Sequence, residues 1–203
     1  MWLWHDQRMY NIINTLDLLA TLTTLYPTLA SRLHPSLQSL LKSVTPRLTL
    51  TRSWLAGFLL MCVGTYIRAS SYRELGRHFT FQLAIRNAHK LVTSGLYSVV
   101  RHPSYTGAFL VWGGAALCQL GPGSLVAAVR AWEKTSLEGH YLSIGGVGLG
   151  QAGSLAYVVL TAWLSIAIFN RIAVEDEVLR REFGEQWQAW AERTPCRLLP
   201  LLY

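Results

Sequence analysis

His89-Lys90-Leu91-Val92-Thr93-Ser94-Gly95-Leu96-Tyr97-Ser98-Val99-Val100-Arg101-His102-Pro103-Ser104-Tyr105-Thr106-Gly107 decides how this chain is read. Two histidines, two tyrosines, a lysine and an arginine lie here, against a long apolar run that begins at Tyr105. Pro103 has no backbone donor and suits a helix's first turn, while its ring biases His102 away from helical geometry. Arg101 and His102 are therefore expected at the mouth of a helix entering an apolar medium. Polar groups are costly at the rim of a membrane helix unless they bind something. Anchoring at lipid headgroups explains any one such residue equally well. It does not explain the whole stretch.

The surrounding composition sets the class. Of 203 residues, 51% are hydrophobic and 14% charged, against about 25% charged in soluble domains. Mean hydropathy is positive. The expectation is one integral membrane domain over residues 1–203. The +7 net charge comes without interleaved basic and aromatic clusters on a polar surface. It suits loops facing an anionic leaflet better than nucleic acid, which is not expected as a partner. Cys62, Cys118 and Cys196 lie far apart, with no Cys-x-x-Cys spacing and no histidine at metal distance. Neither a metal site nor a disulfide framework follows.

Four apolar runs are visible. Met9–Leu29, carrying Asp17, and Ser53–Tyr72 make two N-terminal spans within residues 1–72. Tyr105–Leu120 is the third, stopped by Gly121-Pro122-Gly123, and Ser154–Phe169 the fourth, closed by Asn170 and Arg171. The opening Met1-Trp2-Leu3-Trp4 lacks the basic start of a cleaved signal peptide, so the first span would serve for targeting. Lys and Arg number five in 73–103 and five in 171–203, but two in 122–153. The richer segments are expected in the cytosol, with runs three and four as a hairpin pointing away. The 30–52 loop has four and fits a far-side position badly.

Residues Ile172 to Arg193 are expected to form an amphipathic helix, with Val174, Val178, Phe183, Trp187 and Trp190 recurring at helical steps. Gly184 marks a break in it, and the two tryptophans suit an interface. This tail holds six of the eleven acids, starting with Glu175-Asp176-Glu177. Gly148-Leu149-Gly150-Gln151-Ala152-Gly153 satisfies the dinucleotide fingerprint, but that motif needs a βαβ unit around it. Here it reads as a loop or a site of close helix packing.

The nineteen-residue stretch resembles the isoprenylcysteine carboxyl methyltransferase family, which carries His-x-Leu-Val-x-x-Gly-x-Tyr running into Arg-His-Pro-x-Tyr-x-Gly. Arg171-x-x-x-Glu175, Phe183-Gly184, Trp187 and the span from Pro195 to Pro200 resemble the family's closing segment. Together the motifs cover roughly residues 79–120 and 154–203. The resemblance implies an all-α integral membrane protein of about four transmembrane helices, with a cytosolic cofactor site and an amphipathic C-terminal helix. Residues 73–121 and 154–203 would be the methyltransferase core, and about 123–153 an insertion, the family's hairpin being short there.

The implied activity is methyl transfer from S-adenosylmethionine to the C-terminal carboxylate of prenylated cysteine in CaaX-processed proteins, at the endoplasmic reticulum membrane. By resemblance, Gln82, His89, Lys90, Leu91, Val92, Tyr97, His102, Pro103, Ser104 and Tyr105 line the cofactor pocket. Arg171 would hold the substrate carboxylate through its planar fork. Glu175, one turn on along the same face, would take the cofactor's cationic groups. Taken alone, Arg171 and Glu175 are an ordinary helical ion pair. A phospholipid N-methyltransferase, an NADPH-dependent sterol reductase and a catalytically inactive membrane adaptor are the competing readings. Binding of S-adenosylmethionine or of NADPH separates them.

Overall fold

A computed structural model describes residues 48–76, 90–135 and 147–200, together with Pro35, Gln38 and Lys42. The Met9–Leu29 run with Asp17, and Gln82 and His89 of the proposed pocket, lie outside the described residues. The described residues are helical: α1 is Arg52–Leu75, α2 Pro103–Leu120, α3 Leu125–Thr135, α4 Leu149–Phe183 and α5 Glu185–Arg193. A short 3-10 helix covers Gly95–Ser98. α2 opens at Pro103 and α5 follows a break at Gly184, where φ is +49°.

One expectation needs correcting. The fourth apolar run and the tail are one continuous α4 of 35 residues, about 52 Å long at 1.5 Å per residue. Asn170 and Arg171 do not close it. Polarity changes there without any residue that removes a backbone hydrogen bond, so the helix carries on.

Among the described residues, two segments are long and apolar enough to cross a membrane, Pro103–Thr135 and Gly150–Phe183. Only 11% of the second segment's apolar window lies inside the protein. Leu155, Val158, Val159, Trp163, Ile166 and Phe169 are exposed along it. A soluble core helix would bury this face, whereas lipid solvates it.

The chain divides into two compact units, residues 1–56 with 116–157, and 57–115 with 158–203. In the second, α1 and α2 run antiparallel at backbone contact. The buried residues of α1 are Gly57, Gly64 and Ser71, seven apart. A Cβ on Gly64 would strike the Gly107 carbonyl, and one on Gly114 the Gly57 carbonyl. Small residues at heptad spacing let apolar helices gain dispersion contact where no water is released to drive association. Phe109 of α2 meets Phe169 of α4 at 5.5 Å between ring centroids.

In the first unit, α3 starts on Ser124, whose Oγ accepts from the Ala127 N–H. Ala128 and Trp132 pack with Leu48, Leu125 and Val129. Gly148 and Gly150 sit against Glu133 and Arg130, where a Cβ would clash. The apparent dinucleotide fingerprint is thus a place of close packing at the start of α4.

Candidate functional site

The second unit gathers the polar residues of 95–107 onto α4 and the chain after α5. The 3-10 turn is entered through Gly95 at φ +58°, a left-handed conformation that side chains disfavour. Glu74 of α1 fixes this turn by accepting from the Leu96 N–H at 3.0 Å. Tyr97 is then buried, and its carbonyl accepts from Trp190 Nε1 of α5 at 3.0 Å. Burial foremost, then the nearby Glu175 and Glu74 carboxylates, push the Tyr97 phenol well above the usual tyrosine range. It stays a neutral O–H at physiological pH.

Next along the chain, the Arg101 and His102 N–H groups donate to the Cys196 and Arg197 carbonyls, at 3.0 and 2.9 Å. The Thr106 hydroxyl donates to the Leu198 carbonyl at 2.6 Å. The segment after α5 therefore satisfies donors that the start of α2 leaves open. Arg68 of α1 holds the opposite side, donating from Nη1 to the Ser104 carbonyl at 2.9 Å and from Nη2 to the Tyr72 hydroxyl at 2.6 Å. It bonds inward at the α2 entrance.

Two polar assemblies follow from these anchors. In the first, the buried Asp176 carboxylate accepts from His102 Nε2 at 3.0 Å, with Arg101 Nη1 at 3.3 Å and Arg197 Nε at 3.2 Å. A carboxylate can only accept, so Nε2 of His102 carries the hydrogen. The Arg101 guanidinium also lies over the Trp187 ring, 5.6 Å from its centroid. In the second, Arg171 Nε donates to the Tyr105 hydroxyl at 2.8 Å, and that hydroxyl donates to Glu175 Oε2 at 2.7 Å. The His102 and Tyr105 rings stack at 5.7 Å and join the two assemblies.

Of the residues expected from the sequence, His102, Tyr105, Arg171 and Glu175 come together here, with Tyr97 beside them. Pro103 is fully buried, Ser104 is half-buried and bonded through its carbonyl, Leu91 and Val92 are half-buried, and Lys90 is exposed. His102 departs from expectation: it is 4% exposed, inside the packing and not open at a helix entrance. Its ion partner lies 74 positions away, which no local pattern reveals. Sequence reasoning missed Asp176, Arg197 and Glu74 as members. The unexplained acidic cluster at 175–177 was the signal for the first; Arg197 and Glu74 carried none.

Comparison with known proteins gives the chain's relatives. The sequence pattern of the phospholipid methyltransferase family matches residues 53–133, from α1 through α3. Protein-S-isoprenylcysteine O-methyltransferase B of Arabidopsis thaliana is 38% identical over 99 residues, covering 44% of this chain and 50% of that protein. The chain is a relative of the isoprenylcysteine methyltransferases. A probable protein-S-isoprenylcysteine O-methyltransferase of Oryza sativa subsp. indica is 38% identical over 140 residues, 68% of this chain and 56% of that protein. The Schizosaccharomyces pombe protein-S-isoprenylcysteine O-methyltransferase is 45% identical over 58 residues, 28% of this chain and 23% of that protein. The chain thus spans about half the length of the Arabidopsis and rice relatives. No solved structure matches it significantly. The resemblance carried by residues 89–107 is borne out at the level of the family name.

Proposed function

We propose that this protein transfers a methyl group from S-adenosylmethionine to the C-terminal carboxylate of a prenylated cysteine in CaaX-processed proteins. The observation that carries the reading is the Arg171–Tyr105–Glu175 chain of hydrogen bonds, which sets a guanidinium and a carboxylate side by side around one hydroxyl. The donor set fits the cofactor: a half-buried carboxylate and buried or half-buried phenols suit a ligand bearing an ammonium and a sulfonium. Glu175, Tyr105, Tyr97 and His102 would hold it, with Lys90, Leu91, Val92, Pro103, Ser104, Gln82 and His89 completing its surroundings. When bound, S-adenosylmethionine supplies an electrophilic methyl.

The residues then need to do little acid–base work. An α-carboxylate has a pKa near 3.5 and is ionised at neutral pH, so no general base is required. Arg171 binds that anion, aims one oxygen at the methyl, and compensates its removal from water. The apolar surroundings of α2 and α4 keep water from the nucleophile.

In this reading four spans cross the endoplasmic reticulum membrane, with the 73–103 and 171–203 segments on the cytosolic side and the α3 region, about 123–153, as an insertion in a single domain. The lipid bilayer supplies the prenyl chain's solvent. The test is transfer of labelled methyl, in membranes containing the full chain, to S-farnesylated N-acetylcysteine, to the same compound without its prenyl chain, and to phosphatidylethanolamine. Transfer to the first alone is expected. Transfer only to the phospholipid would replace this reading with the phospholipid methyltransferase one, and transfer to none would exclude both.

A further inference from the structure

The Tyr105 hydroxyl is bonded on both sides to the two groups that the proposed function assigns to different ligands. Arg171 donates to it at 2.8 Å and Glu175 accepts from it at 2.7 Å. Arg171 and Glu175 share α4, one turn apart, whereas Tyr105 reaches them from α2. A phenol has one proton and can serve as acceptor and donor at once. In such a chain each bond polarises the next, more strongly at low dielectric than in water.

Resting on the reading given above, we propose that Tyr105, besides lining the cofactor site, couples the two ligand sites, so that filling the Glu175 side favours carboxylate binding at Arg171. The physical course is short. An ammonium on Glu175 makes that carboxylate a weaker acceptor for the Tyr105 hydroxyl. The hydroxyl is then less polarised, and its oxygen is a weaker acceptor for Arg171 Nε. The guanidinium thereby becomes a stronger donor toward an incoming anion. By linkage, the anion must favour the cation by the same factor. The two ligands are thus made to bind together, which avoids trapping either one alone in a site that needs both.

The experiment measures, with the full chain in detergent micelles, the affinity for S-farnesylated N-acetylcysteine with and without S-adenosylhomocysteine. That probe keeps the ammonium and lacks the sulfonium, so direct attraction between a sulfonium and the carboxylate does not contribute. The wild type is expected to bind the farnesylated compound at least about 5-fold tighter when the probe is present, the lower end of common coupling factors. Tyr105→Phe keeps the ring stacked on His102 and removes only the hydroxyl, so the ratio should fall close to 1. Thr106→Val removes a neighbouring hydroxyl bonded to the Leu198 carbonyl, outside the chain, and should keep the wild-type ratio. An unchanged ratio in Tyr105→Phe, or an equal fall in Thr106→Val, overturns the inference while leaving the proposed function standing. Failure of the wild type to bind S-adenosylhomocysteine at all would overturn both. If Tyr105→Phe does not fold, Glu175→Gln takes its place, read with S-adenosylhomocysteine at a concentration shown to saturate that variant. It keeps an acceptor for the hydroxyl and loses the charge, and a fall toward 1 is expected, an unchanged ratio overturning the inference.

Discussion

Two buried acids, one in each unit, are stabilised by different means. Asp176 faces three basic side chains, Arg101, His102 and Arg197. Glu133 faces backbone: its Oε1 accepts from the Gly150 N–H at 2.7 Å, in the first turn of α4. Helix N-termini leave N–H groups open and carry partial positive charge, so a carboxylate there is satisfied without any charged partner. A backbone donor needs an acceptor of any charge. Two guanidinium groups and an imidazole N–H need an anion. The first unit can therefore lose the charge of its acid cheaply, and the second cannot.

The sharpest way to break this contrast is Asp176→Asn. It leaves Arg101, His102 and Arg197 around a neutral amide, and removal of one member of a buried ionic group costs about 3–5 kcal/mol. A sharp loss of thermal stability in detergent, or of folded yield, is expected. A variant within 1 kcal/mol of the wild type, by the shift of its unfolding midpoint in denaturant, would mean that the ionic assembly contributes little.

His102→Ala comes next. Asp176 keeps its two guanidinium partners, so the loss should be about 1–3 kcal/mol, the cost of an unmade buried bond to a charged group. Because His102 also stacks on Tyr105, affinity for S-adenosylmethionine should fall in the fraction that folds. Isothermal titration of that fraction separates the two effects, and unchanged affinity would confine His102 to packing.

For Glu133 the pair of variants matters more than either one. Glu133→Ala leaves the Gly150 N–H without its acceptor and should cost about 1–2 kcal/mol. Glu133→Gln keeps an acceptor and should cost well under 1 kcal/mol beyond the lost dipole interaction. Chemical denaturation of both is the measurement. Equal losses would show that charge, not acceptor capacity, decides at this site too, and the contrast with Asp176 would collapse.

The smallest effect is expected where charge lies open to solvent. Arg181 Nε donates to Glu177 Oε1 at 2.7 Å across one turn of α4, with the arginine side chain 77% exposed. Arg181→Ala should shift stability by no more than about 0.5 kcal/mol, and less at high salt. A short distance is not by itself a strong interaction; exclusion of water is what separates this pair from Asp176.

Much of this was legible before any coordinates. Pro103 announced the start of α2 because it fits only a first turn, Gly121-Pro122-Gly123 its end, and Gly184 the break before α5. The residues His102, Tyr105, Arg171 and Glu175 were marked by the family resemblance of their motifs, and they do meet. The run from Ser154 into the tail was misjudged because hydropathy records which solvent a segment meets, while a helix stops only where backbone bonding fails.

The sequence by itself determined the helical class, the apolar segments long enough for a bilayer and the family likeness, because each rests on local pattern along one chain. The tertiary structure alone decided which acid does what. Glu175 and Asp176 are neighbours of nearly identical chemistry, and although the family resemblance marked Glu175, no local pattern marked the partners of Asp176. On a helix of 3.6 residues per turn they point about 100° apart. One therefore meets Tyr105 and the other His102, and that angle acquires meaning only once α2 and the segment after α5 are packed against it.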